Sequence, residues 1–104
     1  MLVSDVPSLA AHNAPADRSI HFEGQATSYR TFADRCQQLS CVLTGLAPRG
    51  ARIAVLSGNR PEFMECYFGV PGAGMIMLPL NFRLGLRDLG HILRDAEPAV
   101  VMVE

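Results

Sequence analysis

Residues 57–63 read Ser-Gly-Asn-Arg-Pro-Glu-Phe, between an apolar run at 52–57 and a helical pattern that follows. A glycine between a strand and a helix is a common phosphate cradle, because the first helical N–H groups are free and the helix dipole favours an anion. Arg60 would add a positive charge there. The spacing, however, completes neither known phosphate loop. A Walker loop needs Gly, four residues, then Gly-Lys; five residues after Gly58 stands Phe63, and no lysine follows. A dinucleotide fingerprint needs three spaced glycines, and only Gly58 lies in this stretch. Two readings stay open: a structural corner, which Pro61 favours because its fixed φ suits a first helical turn, and a peripheral contact to an anionic ligand.

Other stretches that invite chemistry are weaker. "GVPGAG" (69–74) holds three glycines but follows its helix, at the wrong end of the dipole for phosphate, so packing explains it better. In "PLNFRL" (79–84), Asn81 has a side chain able to close a turn with its own backbone. Arg83 beside it reads as a solvated cation, a salt-bridge partner or a ligand contact. His12, His21 and His91 are far apart and show no ligand spacing. Glu62 and Glu65 lie three apart on one helix with no evident nucleophile, and Glu62 is explained by the first-turn dipole alone. Cys36 falls on an apolar helix face and Cys41 points elsewhere; with Cys66 the cysteines are three, and no C-x-x-C pair occurs. That argues for free thiols in a reducing compartment and against a metal site or disulfide framework.

The elements that must position these residues are legible from periodicity. Residues 6–14 form a short amphipathic helix stopped by Pro15. Residues 18–22 and 26–28 are short strands around Glu23-Gly24-Gln25, a hairpin signal. Residues 29–46 form a helix in which Tyr29, Phe32, Ala33, Cys36, Leu39, Leu43 and Leu46 build one apolar face. Ser28 is its natural N-cap, and Thr31 at the third helical position leaves the capping box incomplete. Three apolar runs follow, at 52–57, 75–80 and 99–103. They do not alternate polar with apolar, which suits strands covered on both faces of a parallel sheet. Helices at about 60–73 and 86–96 link them. In the second, Leu86, Leu89, Ile92, Leu93 and Ala96 line one face, Gly85 is a weak cap, and Glu97-Pro98 ends it. Pro71 should end or kink the first, because it crowds the carbonyl of Tyr67. The fold expected is α/β: an N-terminal hairpin plus a parallel strand-helix-strand-helix-strand core with right-handed crossovers.

Composition removes several functions. With nine arginines against ten acidic residues, and no basic stripe or aromatic platform, nucleic-acid binding has little support. All nine basic residues are arginine, so no chemistry that needs a lysine amine occurs within these residues. No leader of basic-then-apolar form opens the chain, and "VPGAGMIMLPL" is too short and broken to span a bilayer, so a cytoplasmic protein without a transmembrane segment is expected.

Taken together, "SYRTFADRCQQLSCVL", "GARIAVLSGNRPEFMECYFGVPGAG", "MLPLNFRL" and "LGHILRDAEPAVVMVE" resemble the N-terminal part of an adenylate-forming (AMP-binding) enzyme. Within that superfamily, "VPGAG" followed by "LNFRL" is more similar to fatty-acyl and aryl-CoA synthetases than to peptide-synthetase domains. The resemblance implies that 1–104 is a partial N-terminal subdomain of a ligase. The complete enzyme would use ATP, Mg²⁺ and CoA to turn a carboxylic acid into an acyl-adenylate and then a thioester. It also implies that the family's Ser/Thr/Gly-rich phosphate loop, its adenine and ribose motifs and its C-terminal lysine lie beyond residue 104. No cofactor is then expected for this chain alone, and no catalytic residue. "SGNRPEF" is not that loop. The resemblance places this face of the sheet toward the CoA side, which makes Asn59, Arg60 and Arg83 the candidate contacts. Two partners are expected: the rest of a ligase chain, or a second copy through the exposed edge of the strand at 99–103. A non-catalytic interaction module built on the same scaffold is the alternative.

Overall fold

The computed structural model describes residues 2–13, 18–58, 60–81 and 83–103. A single 3-10 turn, Val3–Asp5, leads into α1 (Val6–Asn13). Two antiparallel strands, β1 (Ser19–Phe22) and β2 (Gln25–Ser28), follow. Their two-residue turn has Glu23 at φ 48° and Gly24 at φ 80°. Positive φ at both central positions matches the twist of a tight hairpin, and glycine adopts it without a Cβ clash. Pro15 lies outside the described residues.

Helix α2 runs Tyr29–Leu46, and Ser28 caps it: the Thr31 N–H donates to Ser28 Oγ at 3.1 Å. Phe32, Ala33, Cys36 and Leu43 are buried and Leu39 is half-buried, as the apolar spacing implies. Leu46 is exposed, because the last turn runs past the elements that cover the rest of the face.

The core sheet is parallel, in the order β4-β3-β5, from β3 (Arg52–Leu56), β4 (Ile76–Leu80) and β5 (Val100–Val103). Helix α3 (Pro61–Gly72) links β3 to β4, and α4 (Leu86–Ala96) links β4 to β5. The expected α/β core with its N-terminal hairpin is therefore present. Ile53 and Val55 point into a cluster with Leu43, Cys66, Val70 and Met75, which sets α2 and α3 on one sheet face. The β3-to-β4 step goes one way along the sheet and the β4-to-β5 step reverses it. Right-handed crossovers in opposite directions put α3 and α4 on opposite faces.

Only the central strand is covered on both sides: Ile53, Ala54 and Val55 are all buried. The flanking strands depart from the expectation of two covered faces. Ile76, Val101 and Val103 are 54%, 45% and 67% exposed. Helix α4 buries none of its residues, and Leu86 is 89% exposed. A three-stranded sheet gives one amphipathic helix too little apolar area to cover.

Pro71 sits one residue before the end of α3, so the helix terminates there rather than kinking mid-way. The chain then turns through Gly74 at φ 74°. Helix α4 ends with Glu97 in the left-handed region, φ 47°. No described helix is long and apolar enough to cross a membrane.

Candidate site at the carboxyl end of the sheet

Leu56 and Leu80 are register partners at the carboxyl ends of β3 and β4. The loops that follow, carrying Arg60 and Arg83, therefore leave the sheet on the same end. In open parallel sheets, ligands settle beyond the carboxyl ends of strands, where the winding direction reverses. Here that point lies between β3 and β5. A cavity of about 340 Å³ opens there, lined by Val55, Ser57, Arg60, Phe63, Met102 and Val103 among others.

Arg60 is the N-cap residue of α3, with extended backbone and no side-chain cap bond, and Pro61 takes the first turn. The Phe63 N–H donates to the Arg60 carbonyl at 3.0 Å and the Met64 N–H at 3.3 Å. Its guanidinium Nε lies 3.6 Å from a Glu62 carboxylate oxygen. A carboxylate beside the arginine reduces the positive potential that an anion would meet. The corner reading of "SGNRPEF" thus has its geometry: strand, capping backbone, proline at helix entry. Arg60 also lines a second cavity of about 520 Å³, between the hairpin and α3, together with Arg35, Glu62 and Glu65.

Arg83 is exposed. Its backbone N–H donates to Asn81 Oδ1 at 2.9 Å, and the Leu84 N–H to the Asn81 carbonyl at 3.1 Å. Asn81 closes the turn with its own backbone, as its type implies. Asn59, the third candidate contact, lies outside the described residues. The fold brings the Arg60 and Arg83 loops to one end of the sheet.

No local pattern points to a partner for Glu65, and the structure supplies one. Arg35 of α2 donates from Nε to Glu65 Oε1, and its second nitrogen reaches Glu65 Oε2 at 3.3 Å. The Glu65 side chain is 11% exposed and that of Arg35 51%. The carboxylate holds the guanidinium pKa above its ordinary value, mainly through the hydrogen bond. Arg35 falls three residues after Phe32 on the edge of the α2 apolar stripe, and that position was the only available signal.

The two buried thiols, Cys36 and Cys66, are poor nucleophiles. Burial pushes Cys36 up to about 11 and raises Cys66, and the Glu65 carboxylate adds to both. Cys41 is exposed. Among the described residues, no three His, Cys, Asp or Glu side chains are grouped as metal ligands, so no residue here is assigned to Mg²⁺.

The glycines of "GVPGAG" pack helices. A Cβ on Gly69 would stand 2.7 Å from Leu39 Cδ2 and 3.1 Å from the Cys36 carbonyl oxygen. One on Gly72 would meet Ser40 Oγ at 2.6 Å.

The family model for "AMP-binding enzyme" matches residues 8–104. This chain belongs to the AMP-binding enzyme family. The 4-hydroxybutyrate–CoA ligase 2 of Metallosphaera sedula is 36% identical over 78 residues, 74% of this chain and 14% of that protein. The 3-methylmercaptopropionyl-CoA ligase of Ruegeria pomeroyi is 34% identical over 110 residues, spanning all of this chain and 20% of that protein. The N-terminal subdomain of Klebsiella oxytoca NpsA, solved with 3-hydroxyanthranilyl-AMSN, shares the fold at TM-score 0.84 and 22% identity. That match covers 97% of this chain and 26% of that one. The AMP-binding family chain described here thus spans a fifth or less of these two curated relatives.

Proposed function

We propose that this chain is the N-terminal scaffold segment of an ATP-dependent acyl-CoA synthetase, and that it is inactive alone. In the whole enzyme, a carboxylic acid and ATP would give an acyl-adenylate and pyrophosphate. CoA thiol would then displace AMP to give acyl-CoA. The observation that carries this reading is the AMP-binding family match over 8–104, together with CoA-ligase relatives of which this chain covers 14% and 20%. The lack of any lysine supports inactivity, because no amine side chain is present to steady a phosphate or an adenylate. The three free thiols fit a reducing compartment, the cytoplasm.

Arg60 and Arg83 would act as binding residues for CoA. Both stand at the carboxyl end of the sheet, and a guanidinium pairs well with phosphate. Asn59 would contribute an amide beside them. The remaining length of the ligase would cover Ile76, Leu86, Val101 and Val103, whose exposure is otherwise unfavourable. Titrating CoA into the isotope-labelled chain tests the contact. Selective amide shifts around residues 58–60 and 81–84 are expected, and their absence at saturating CoA would remove these residues from the reading.

A further inference from the structure

We propose that Glu62 is a specificity-determining residue: it sets a threshold at which Arg60 accepts phosphate-bearing anions and rejects simple carboxylates. The inference deepens the proposed role of Arg60 as a CoA contact and rests on it. In that reading one enzyme meets two kinds of anion, the phosphates of CoA and the carboxylate of the acid. A guanidinium pairs readily with either, so something beside it must discriminate.

Arg60 and Glu62 both line the cavity of about 340 Å³ at the carboxyl end of the sheet and the cavity of about 520 Å³ between the hairpin and α3. The two side chains thus stand on the wall between the cavities. Their contact is loose. Arg60 Nε and the Glu62 oxygen are 3.6 Å apart, beyond hydrogen-bond length, and the side chains are 49% and 58% exposed. One turn further along α3 the pairing is tight: two Arg35 nitrogens reach the two oxygens of Glu65, which is shielded from water. The loose pair can exchange partners while the tight pair keeps α2 on α3.

Exchange favours one class of ligand. A dissolved monocarboxylate offers Arg60 the same group that Glu62 supplies from two residues away, and it loses translational freedom in doing so. A phosphate ligand brings more charge and can accept both prongs of the guanidinium fork. Glu62 is held where it stands by the first turn of α3, whose dipole favours a carboxylate. Exchange does not strand it, because Arg35 lines the same hairpin-side cavity. The Arg35 guanidinium is held above its ordinary pKa by Glu65 first and by Glu62 in addition, so Glu62 and Arg35 already attract each other.

Amide NMR titrations of the 104-residue chain with pyrophosphate, CoA and acetate, at constant ionic strength, test the threshold. In the native chain, pyrophosphate and CoA should shift the amides of Arg60, Glu62 and Phe63, and acetate at the same concentration should not. Glu62→Gln, with its fold checked by circular dichroism, should let acetate shift them and should tighten pyrophosphate about two- to fivefold, the range that an exposed ion pair supplies. Glu23→Gln removes the same charge from the hairpin side of the second cavity and should change neither result. Pyrophosphate binding without CoA binding would support the threshold and remove CoA as the ligand of Arg60. CoA binding that Glu62→Gln leaves unchanged would overturn the threshold and leave the CoA contact standing. Acetate binding to the native chain, an equal effect of Glu23→Gln, or no response to either phosphate ligand would also overturn the proposal.

Discussion

The Ser40 hydroxyl of α2 donates to the Gly69 carbonyl of α3 at 2.6 Å, and also lies 3.2 Å from the Cys36 carbonyl in its own helix. The two helices can come this close because Gly69 has no Cβ to meet Leu39 and the Cys36 carbonyl, and Gly72 none to meet Ser40 Oγ. The Gly69 carbonyl also accepts from the Ala73 N–H at 3.2 Å, so the hydroxyl adds a second bond to a carbonyl in the last turn of α3. Gly69→Ala pushes a methyl against Leu39 and the Cys36 carbonyl, so it should destabilise the fold by about 1–3 kcal/mol. Ser40→Ala should cost about 1 kcal/mol. Urea unfolding monitored by circular dichroism measures both.

The Arg35–Glu65 pair is unequally buried, and the two ends should respond differently. Removing Arg35 leaves a nearly buried carboxylate without its donor. Removing Glu65 leaves an arginine that is half in water. Arg35→Ala is therefore expected to lose more stability than Glu65→Gln, about 1–3 kcal/mol against about 1 kcal/mol or less. Equal losses in urea unfolding would mean that the carboxylate is less shielded than its burial implies.

Native thiol reactivity should be limited to one site. Iodoacetamide at neutral pH is expected to alkylate Cys41 and spare Cys36 and Cys66. All three should react once the chain is denatured, as read by peptide mass spectrometry. The same burial sets an alkaline limit. Cys36 titrates at about 11 in the fold against an ordinary 9.0, so between those values the unfolded chain has lost a proton that the folded chain keeps. Stability from this group is complete below pH 9 and falls as pH rises toward 11. Cys36→Ala should flatten that part of the pH–stability curve.

Helix α4 is weakly closed at both ends. Gly85 offers no side chain to its first turn, and its φ of −69° suits any residue, with open space where a Cβ would stand. Gly85→Ser should stabilise the helix by a few tenths of a kcal/mol. Glu97→Gly should relieve the left-handed φ at the other end and add about 0.5–1 kcal/mol. Thermal unfolding of the two variants checks the order of the gains.

The elements were legible because their periods are clean. Ser28, the α2 stripe, Glu97-Pro98 and the three apolar runs each point to one local structure, and each takes it. The turn chemistry of Asn81 and the corner at Pro61 were readable for the same reason: both depend on neighbours in sequence. What depends on distant neighbours was not readable. The Glu65 partner comes from another helix, 30 residues away. The exposure of Leu86 and Val103 depends on how many strands the sheet has, which no local pattern states. The position of the "GVPGAG" glycines after their helix points to packing, but Ser40 and Leu39 as the groups they admit follow only from the crossing of α2 and α3. At the candidate site, Arg60 and Arg83 are placed by strand register, while Asn59 lies outside the described residues.

The most direct test of the scaffold assignment is ATP–pyrophosphate exchange by the purified 104-residue chain, across short, long and aromatic carboxylic acids with Mg²⁺ supplied. With no lysine and no phosphate loop in these residues, exchange should not rise above the buffer control for any acid. Acid-dependent exchange that saturates with ATP would contradict it and show that adenylate chemistry resides within this chain.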